Sequence, residues 1–116
     1  MKVLFVLNDP PYGSERCYNA LRLALALLKQ DNTELTLFLM ADAVTGAKAG
    51  QKTPDGYYNI ERMLKRVLAG NGKVLVSGTC MQGRGLAETE LLPQAHRSTM
   101  EELAAATVDA DKMLVF

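Results

Sequence analysis

A chain of 116 residues is long enough for one domain with a real core, and 48% apolar with 22% charged residues is the balance of a globular protein. Thirteen basic and thirteen acidic residues cancel. No basic block stands anywhere in the sequence, which argues against nucleic acid and against an anionic membrane surface as partners.

The N-terminal run Val3 to Leu7 is apolar, too short for a signal peptide and without a small-residue cleavage site, so it reads as a first buried strand. With no transmembrane run either, the cytoplasm is the expected compartment, where free thiols stay reduced. Asn8-Asp9-Pro10-Pro11-Tyr12-Gly13-Ser14 forbids helix and ladder alike and reads as a shaped loop, with Ser14 placed to cap the next helix. From Cys17 the apolar positions Cys17, Ala20, Leu21, Ala24, Leu25 and Leu28 recur with helical spacing. Leu23 and Leu27 add a second row, the mark of a helix covered on more than one side and hence of an oligomer contact.

Leu35 to Met40 is the second strand. The stretch from Ala43 to Gly56, with its Gly and Lys residues and the turn Thr53-Pro54-Asp55-Gly56, is long for a plain connection and reads as a site loop or lid. Asn59 is placed to cap a second helix with Ile60, Met63, Leu64, Val67 and Leu68 inward, stopped at Gly70-Asn71-Gly72. Leu86 to His96 suggests a helical turn and a short edge strand near Ala95 to Arg97. Ser98-Thr99-Met100-Glu101 has the form of a capping box ahead of a last helix with Met100, Leu103, Ala104, Thr107 and Val108 inward. Met113 to Phe116 is a final strand. Alternating strands and helices at this spacing predict a parallel sheet with right-handed crossovers, a single three-layer α/β/α domain over residues 1–116.

The stretch that concentrates chemistry is Lys73-Val-Leu-Val-Ser-Gly-Thr-Cys80-Met-Gln-Gly-Arg84-Gly85. It reads as a buried strand that stops at Gly78 and gives way to a glycine-rich turn carrying Cys80. In an open parallel sheet, ligands and reactive groups collect in the loops beyond the carboxyl ends of the strands. Three such loops should meet there: Asn8 to Gly13, Asp42 onward, and Gly78 to Gly85. The start of the first helix should add backbone N–H groups, and Arg84 a charge four residues after Cys80. Both favour the thiolate, the nucleophilic form.

Other chemistries fit less well. Cys17 sits on the inner stripe of a helix and reads as core, Asp42 suits a helix cap, and nothing places His96 beside Cys80. Two cysteines far apart, without CxxC or a Cys/His cluster, argue against zinc, against any other metal centre and against a dithiol. No GxxxxGK[ST] or GxGxxG follows the first strand, and no cofactor is expected.

Pro11-Tyr12-Gly13-Ser14-Glu15, Leu37 to Thr45, Gly50-Gln51-Lys52, Tyr58-Asn59-Ile60, Thr79-Cys80 with Gly83-Arg84-Gly85, and Ala110-Asp111-Lys112 together resemble the DsrE/DsrF-like family, and within it the YchN-like subgroup. The resemblance covers nearly the whole chain. It implies a flavodoxin-like α/β/α fold with a mainly parallel five-stranded sheet, and assembly into a homo-oligomer, a hexamer or trimer. It also implies, for the sulfur-relay members, a cysteine after the third strand that carries persulfide sulfur between donor and acceptor proteins. Cys80 matches that cysteine, and Arg84 and Gly85 match the Arg-Gly after it. A second cysteine and an acid common in the subgroup fall on Gly78 and Gln82, which leaves a one-cysteine mechanism. The expectation is a cytoplasmic sulfur carrier or sulfurtransferase subunit with Cys80 as nucleophile and Gly83, Arg84, Gly85, Asp42, Gly13 and Ser14 as its binding surroundings. The alternative is an oligomeric module that binds a small molecule or a protein and gives its cysteine no redox duty.

Overall fold

The computed structural model describes residues 1–116. Strands β1 (Lys2–Leu7), β2 (Glu34–Leu39), β3 (Lys73–Ser77), β4 (Ala95–Ser98) and β5 (Lys112–Val115) form one sheet, with every neighbouring pair parallel and the order β4-β3-β2-β1-β5. Helices α1 (Arg16–Leu27), α2 (Ile60–Ala69), α3 (Gly78–Gly83) and α4 (Met100–Asp109) connect them. This is the expected α/β/α class. None of the helices is long and apolar enough to cross a membrane.

The central strands are apolar without alternation because both of their faces are covered, as a parallel sheet requires. Val3, Phe5 and Leu7 of β1 point to the face of α1 and α2, where they belong to a cluster of 24 buried residues that also includes Leu21, Ala24, Leu64 and Val67. Leu4, Val6 and Phe38 point to the other face, where α4 contributes Leu103 alone to a buried cluster of four. The two outer layers are thus unequal, and most of the apolar burial that stabilises the fold lies under α1 and α2.

Helix ends follow local chemistry. The Asn59 side chain accepts the Arg62 N–H at 3.0 Å and starts α2. Asn71, at φ +69°, ends it, with the Gly72 N–H reaching the Val67 carbonyl at 2.9 Å. A Cβ on Gly72 would lie 2.6 Å from Val67 Cγ1, so glycine is required there.

Three expectations need correction. Ser14 meets α1 from one position further out than a cap: Glu15 holds the cap position without a side-chain bond, while the Ser14 hydroxyl accepts the Arg16 N–H at 3.4 Å and donates to Asp9 Oδ2 at 2.9 Å. The last helix is capped by Thr99, which accepts the Glu102 N–H at 3.2 Å, because Ser98 is still part of β4. Its inward stripe is Leu103, Ala106 and Ala110, while Met100 and Val108 are 58% and 89% exposed. Finally, residues 43–56 are no loose lid. Ala41–Ala47 is a 3-10 helix. Beyond it the Gln51 side chain donates to the Gly46 and Lys48 carbonyls at 2.7 and 2.9 Å and accepts from the Tyr12 hydroxyl. The buried Glu61 carboxylate accepts the Gly50 and Gln51 N–H groups at 3.0 and 2.7 Å, which ties this segment to α2.

Candidate functional site

Cys80 does not stand in an open glycine turn, as its sequence suggests, but in the short helix α3, which begins as soon as β3 ends. The reason is Ser77. Its hydroxyl accepts the Cys80 N–H at 3.4 Å, three residues on, so the last residue of the strand caps the helix. Glycine closes the other end. Gly85 at φ +65° lets the Leu86 N–H reach the Met81 carbonyl at 3.0 Å and its own N–H reach that of Gln82 at 3.2 Å, with Met81 and Leu86 both buried. Gly85 therefore shapes the cysteine's helix, and Gly83, at its last turn, is exposed with nothing near its Cα hydrogens. Gly78 is filled from outside: a Cβ there would meet Arg97 Nε at 2.6 Å.

The Cys80 sulfur is half-buried and accepts the backbone N–H of Ala41 at 3.2 Å. Ala41 follows β2 with φ +50°, a left-handed conformation that costs a non-glycine residue roughly 1–2 kcal/mol. Strain of this kind persists where surrounding structure enforces it, often at working sites. Here it aims an amide at a thiol.

The thiol is held below its ordinary pKa, first by the Ser77 hydroxyl, then by the Ala41 N–H, the Arg84 charge and the Thr79 hydroxyl; partial burial works in the opposite direction. Arg84 is less free than its spacing suggests. Its Nε and Nη2 both lie 2.9 Å from Asp42 Oδ1, and its Nη1 donates to the Cys80 carbonyl at 3.2 Å. Asp42 is thus not a helix cap. It orients Arg84 across the loop after β2, and it offsets part of the charge that Arg84 presents to the sulfur.

Two of the three expected loops meet at Cys80: the one after β2, with Ala41 and Asp42, and the one after β3. The loop after β1 goes elsewhere. Gly13 and Ser14 line a cleft with Tyr18, Tyr57 and Tyr58, and the Tyr58 hydroxyl donates to the Ser14 carbonyl at 3.5 Å. The amide that reaches the sulfur comes from Ala41, not from the start of α1. His96 sits exposed on β4 opposite Leu75. Ser77 and Ala41 were missed from sequence. Ser77 could have been found, since a serine three residues before Cys80 at the end of a strand has N-cap spacing. Ala41 could not, because a positive φ on alanine has no sequence signature.

The Cys80 thiol thus stands beside an amide donor and a pinned arginine at the carboxyl edge of a parallel sheet, on an α/β scaffold. The family model for the DsrE/DsrF-like family matches residues 1–116, and the chain belongs to that family. It is 47% identical to Protein YchN of Escherichia coli strain K12 over 116 residues, covering 99% of this chain and 98% of that protein, which places it with the YchN-like subgroup. An uncharacterized protein of Methanocaldococcus jannaschii is 35% identical over the full length of both chains. Among solved structures, the crystal structure of the ychN protein from E. coli superposes with a TM-score of 0.95 at 46% identity, covering 100% of this chain and 99% of that one. A protein of unknown function from Methanobacterium thermoautotrophicum, TM-score 0.77 at 8% identity, shares the fold alone, over 99% of this chain and 98% of its own.

Proposed function

We propose that this protein is a sulfur carrier or sulfurtransferase subunit, working in the cytoplasm, in which Cys80 accepts sulfane sulfur and passes it to a partner thiol. The observation that carries the reading is the Ala41 N–H at 3.2 Å from a half-buried Cys80 sulfur whose pKa is lowered by Ser77 and its neighbours. The Cys80 thiolate attacks the outer sulfur of a donor persulfide. The donor's S–S bond breaks, its own sulfur leaves as a thiolate, and Cys80 becomes the persulfide. An acceptor thiolate then attacks that outer sulfur and Cys80 departs as a thiolate, so sulfur moves with no net oxidation. The groups that stabilise a thiolate make Cys80 a better leaving group in the second step, and they suit the acidic persulfide between the two. Cys17, buried and in the first helix, takes no part.

The resemblance to sulfur-relay members supports this reading, and one cysteine at the site is enough for it, since a single thiol serves both transfers. We further propose that the protein works as a homo-oligomer, because all four residues of the edge strand β5 are exposed, Met113, Leu114 and Val115 among them. The chemistry is tested by pre-loading wild type and a Cys80→Ser variant with a persulfide donor, removing the donor, and adding a thiol acceptor. Sulfur delivered by wild type alone supports the reading, and equal delivery by the variant overturns it.

A further inference from the structure

The sequence holds no basic block, yet the fold makes one. A groove of about 520 Å³ between α1 and α2 is lined by Arg22 and Lys29 on one side and Arg62 and Arg66 on the other, with no acidic residue in its walls. None of the four takes part in an ion pair. Four exposed cations gathered without a counter-charge repel one another, and in a chain whose charges cancel overall this segregation asks for an anionic occupant.

The floor between the cations is apolar. Leu25 is half-buried and Met63 buried, with Ala26 beside them. The two rails follow helix geometry: Arg22 to Lys29 is seven residues and Arg62 to Arg66 is four, so the groove is about 10 Å long, near two helical turns. An apolar stripe between two cationic rails is the complement of a helix with apolar residues on one face and Asp or Glu along its flanks. Tyr18 and Tyr58 close the upper end, and they offer no free platform for a nucleobase. Their rings stack on each other with centroids 4.5 Å apart, Tyr57 stacks on Tyr58 at 4.5 Å, and Arg22 lies 5.5 Å from the Tyr18 ring centre. That upper end is where α1 and α2 begin, which is the carboxyl edge of the sheet, the edge that also carries Cys80.

Resting on the sulfur-carrier reading, we propose that the groove between α1 and α2 docks an acidic, apolar-striped helix of the protein that exchanges sulfur with Cys80. The helix lies with its apolar face on Leu25 and Met63 and its carboxylates on Arg22, Lys29, Arg62 and Arg66. Desolvated charge pairs around an apolar centre give such an interface its orientation, and the salt dependence of rim charges gives it its signature.

The probe is a synthetic helical peptide of about four turns, with leucines on one face and glutamates on its flanks, titrated into the full chain and followed by backbone NMR shifts and by anisotropy. The proposal expects shifts centred on Leu25 and Met63, affinity at least tenfold weaker in Arg62→Glu/Arg66→Glu and several-fold weaker in Arg62→Gln/Arg66→Gln, and a clear loss at high salt. Cys80→Ser should bind as well as wild type, so a failure of docking and a failure of sulfur transfer are read separately. Absence of shifts in the groove, or equal binding by the charge-reversed variant, overturns the proposal. So does tighter binding of a single-stranded RNA oligonucleotide to the same residues, which would make the groove a nucleic-acid site. Self-association lost in Arg62→Glu/Arg66→Glu also overturns it, by assigning the groove to a second copy of the chain.

Discussion

Cys80 and Cys17 are the same side chain in opposite settings, and the difference is made by a handful of neighbours. Cys17 is buried on the inner face of α1, its thiol donates to the Asp9 carbonyl at 3.1 Å, and burial with the nearby Asp9 charge pushes its pKa up to about 11. Cys80 is half-exposed and lowered. A neutral-pH alkylating reagent should therefore modify Cys80 in the native protein and reach Cys17 only on unfolding, as peptide mass mapping would read; native modification of Cys17 at a similar rate would contradict this. Since the Ser77 hydroxyl is the first cause of the lowered Cys80 pKa, Ser77→Ala should move the midpoint of the alkylation-against-pH curve upward, and Arg84→Gln should move it upward by less. The smaller effect of Arg84 follows from its attachment to Asp42. Ala41 supplies a further check. Ala41→Gly keeps the N–H that faces the sulfur and relieves the left-handed strain, so the variant should be at least as stable as wild type in denaturant. Ala41→Val should lose about 1–2 kcal/mol or more, because a β-branched residue tolerates φ +50° worse.

Among the elements, the segment after β2 carries most of the positioning. Glu61 holds it: burial disfavours the charged carboxylate, but the Lys65 side chain and the Gln51 and Gly50 N–H groups together outweigh burial and lower its pKa. A carboxylate whose folded pKa lies below its unfolded value stabilises the fold fully above the unfolded pKa. That stability is lost as pH falls through the folded pKa, so acid should loosen residues 50–51 before the rest. Glu61→Ala should cost about 1–3 kcal/mol, because two backbone N–H groups lose their acceptor, and hydrogen exchange should rise first at Gly50 and Gln51. Uniform exchange across the molecule would show that the strap is not a separate unit. Much of this level was legible beforehand. Asn59, the Gly70 to Gly72 stop and the apolar runs of β1 and β3 carry their own local signals, and the structure uses them as written. The cap of α4 falls one residue past the expected Ser98, because Ser98 and Thr99 are chemically equivalent caps and only strand pairing decides between them. The short helix around Cys80 looks like a turn in the sequence because three nearby glycines outweigh one serine in any local reading. The strapping of residues 43–56 depends on Glu61 and Tyr12 from distant parts of the chain, and no local pattern encodes that.

At the scale of the whole molecule, two surfaces are left without a partner. One is β5, whose outer edge is unpaired in the sheet and whose apolar residues face solvent, an arrangement that invites pairing with another chain. If it is the contact between copies, light scattering should give a mass several times that of the 12.7 kDa chain, and Val115→Lys should reduce it. A wild-type monomer would contradict the assembly. The other is the cationic groove, invisible in a sequence whose charges sum to zero because its four cations come from two helices brought together only by folding. The sheet, the layers and the cysteine were legible because each is encoded locally. The groove and the strained amide at Cys80 were not, because each is a property of packing. The role of Cys80 as the carrier of sulfur is tested most directly by intact mass. After incubation of the reduced protein with a sulfane-sulfur donor, wild type should gain about 32 Da, one sulfur, while Cys80→Ser gains none. No gain on wild type, or the same gain on both, would contradict it.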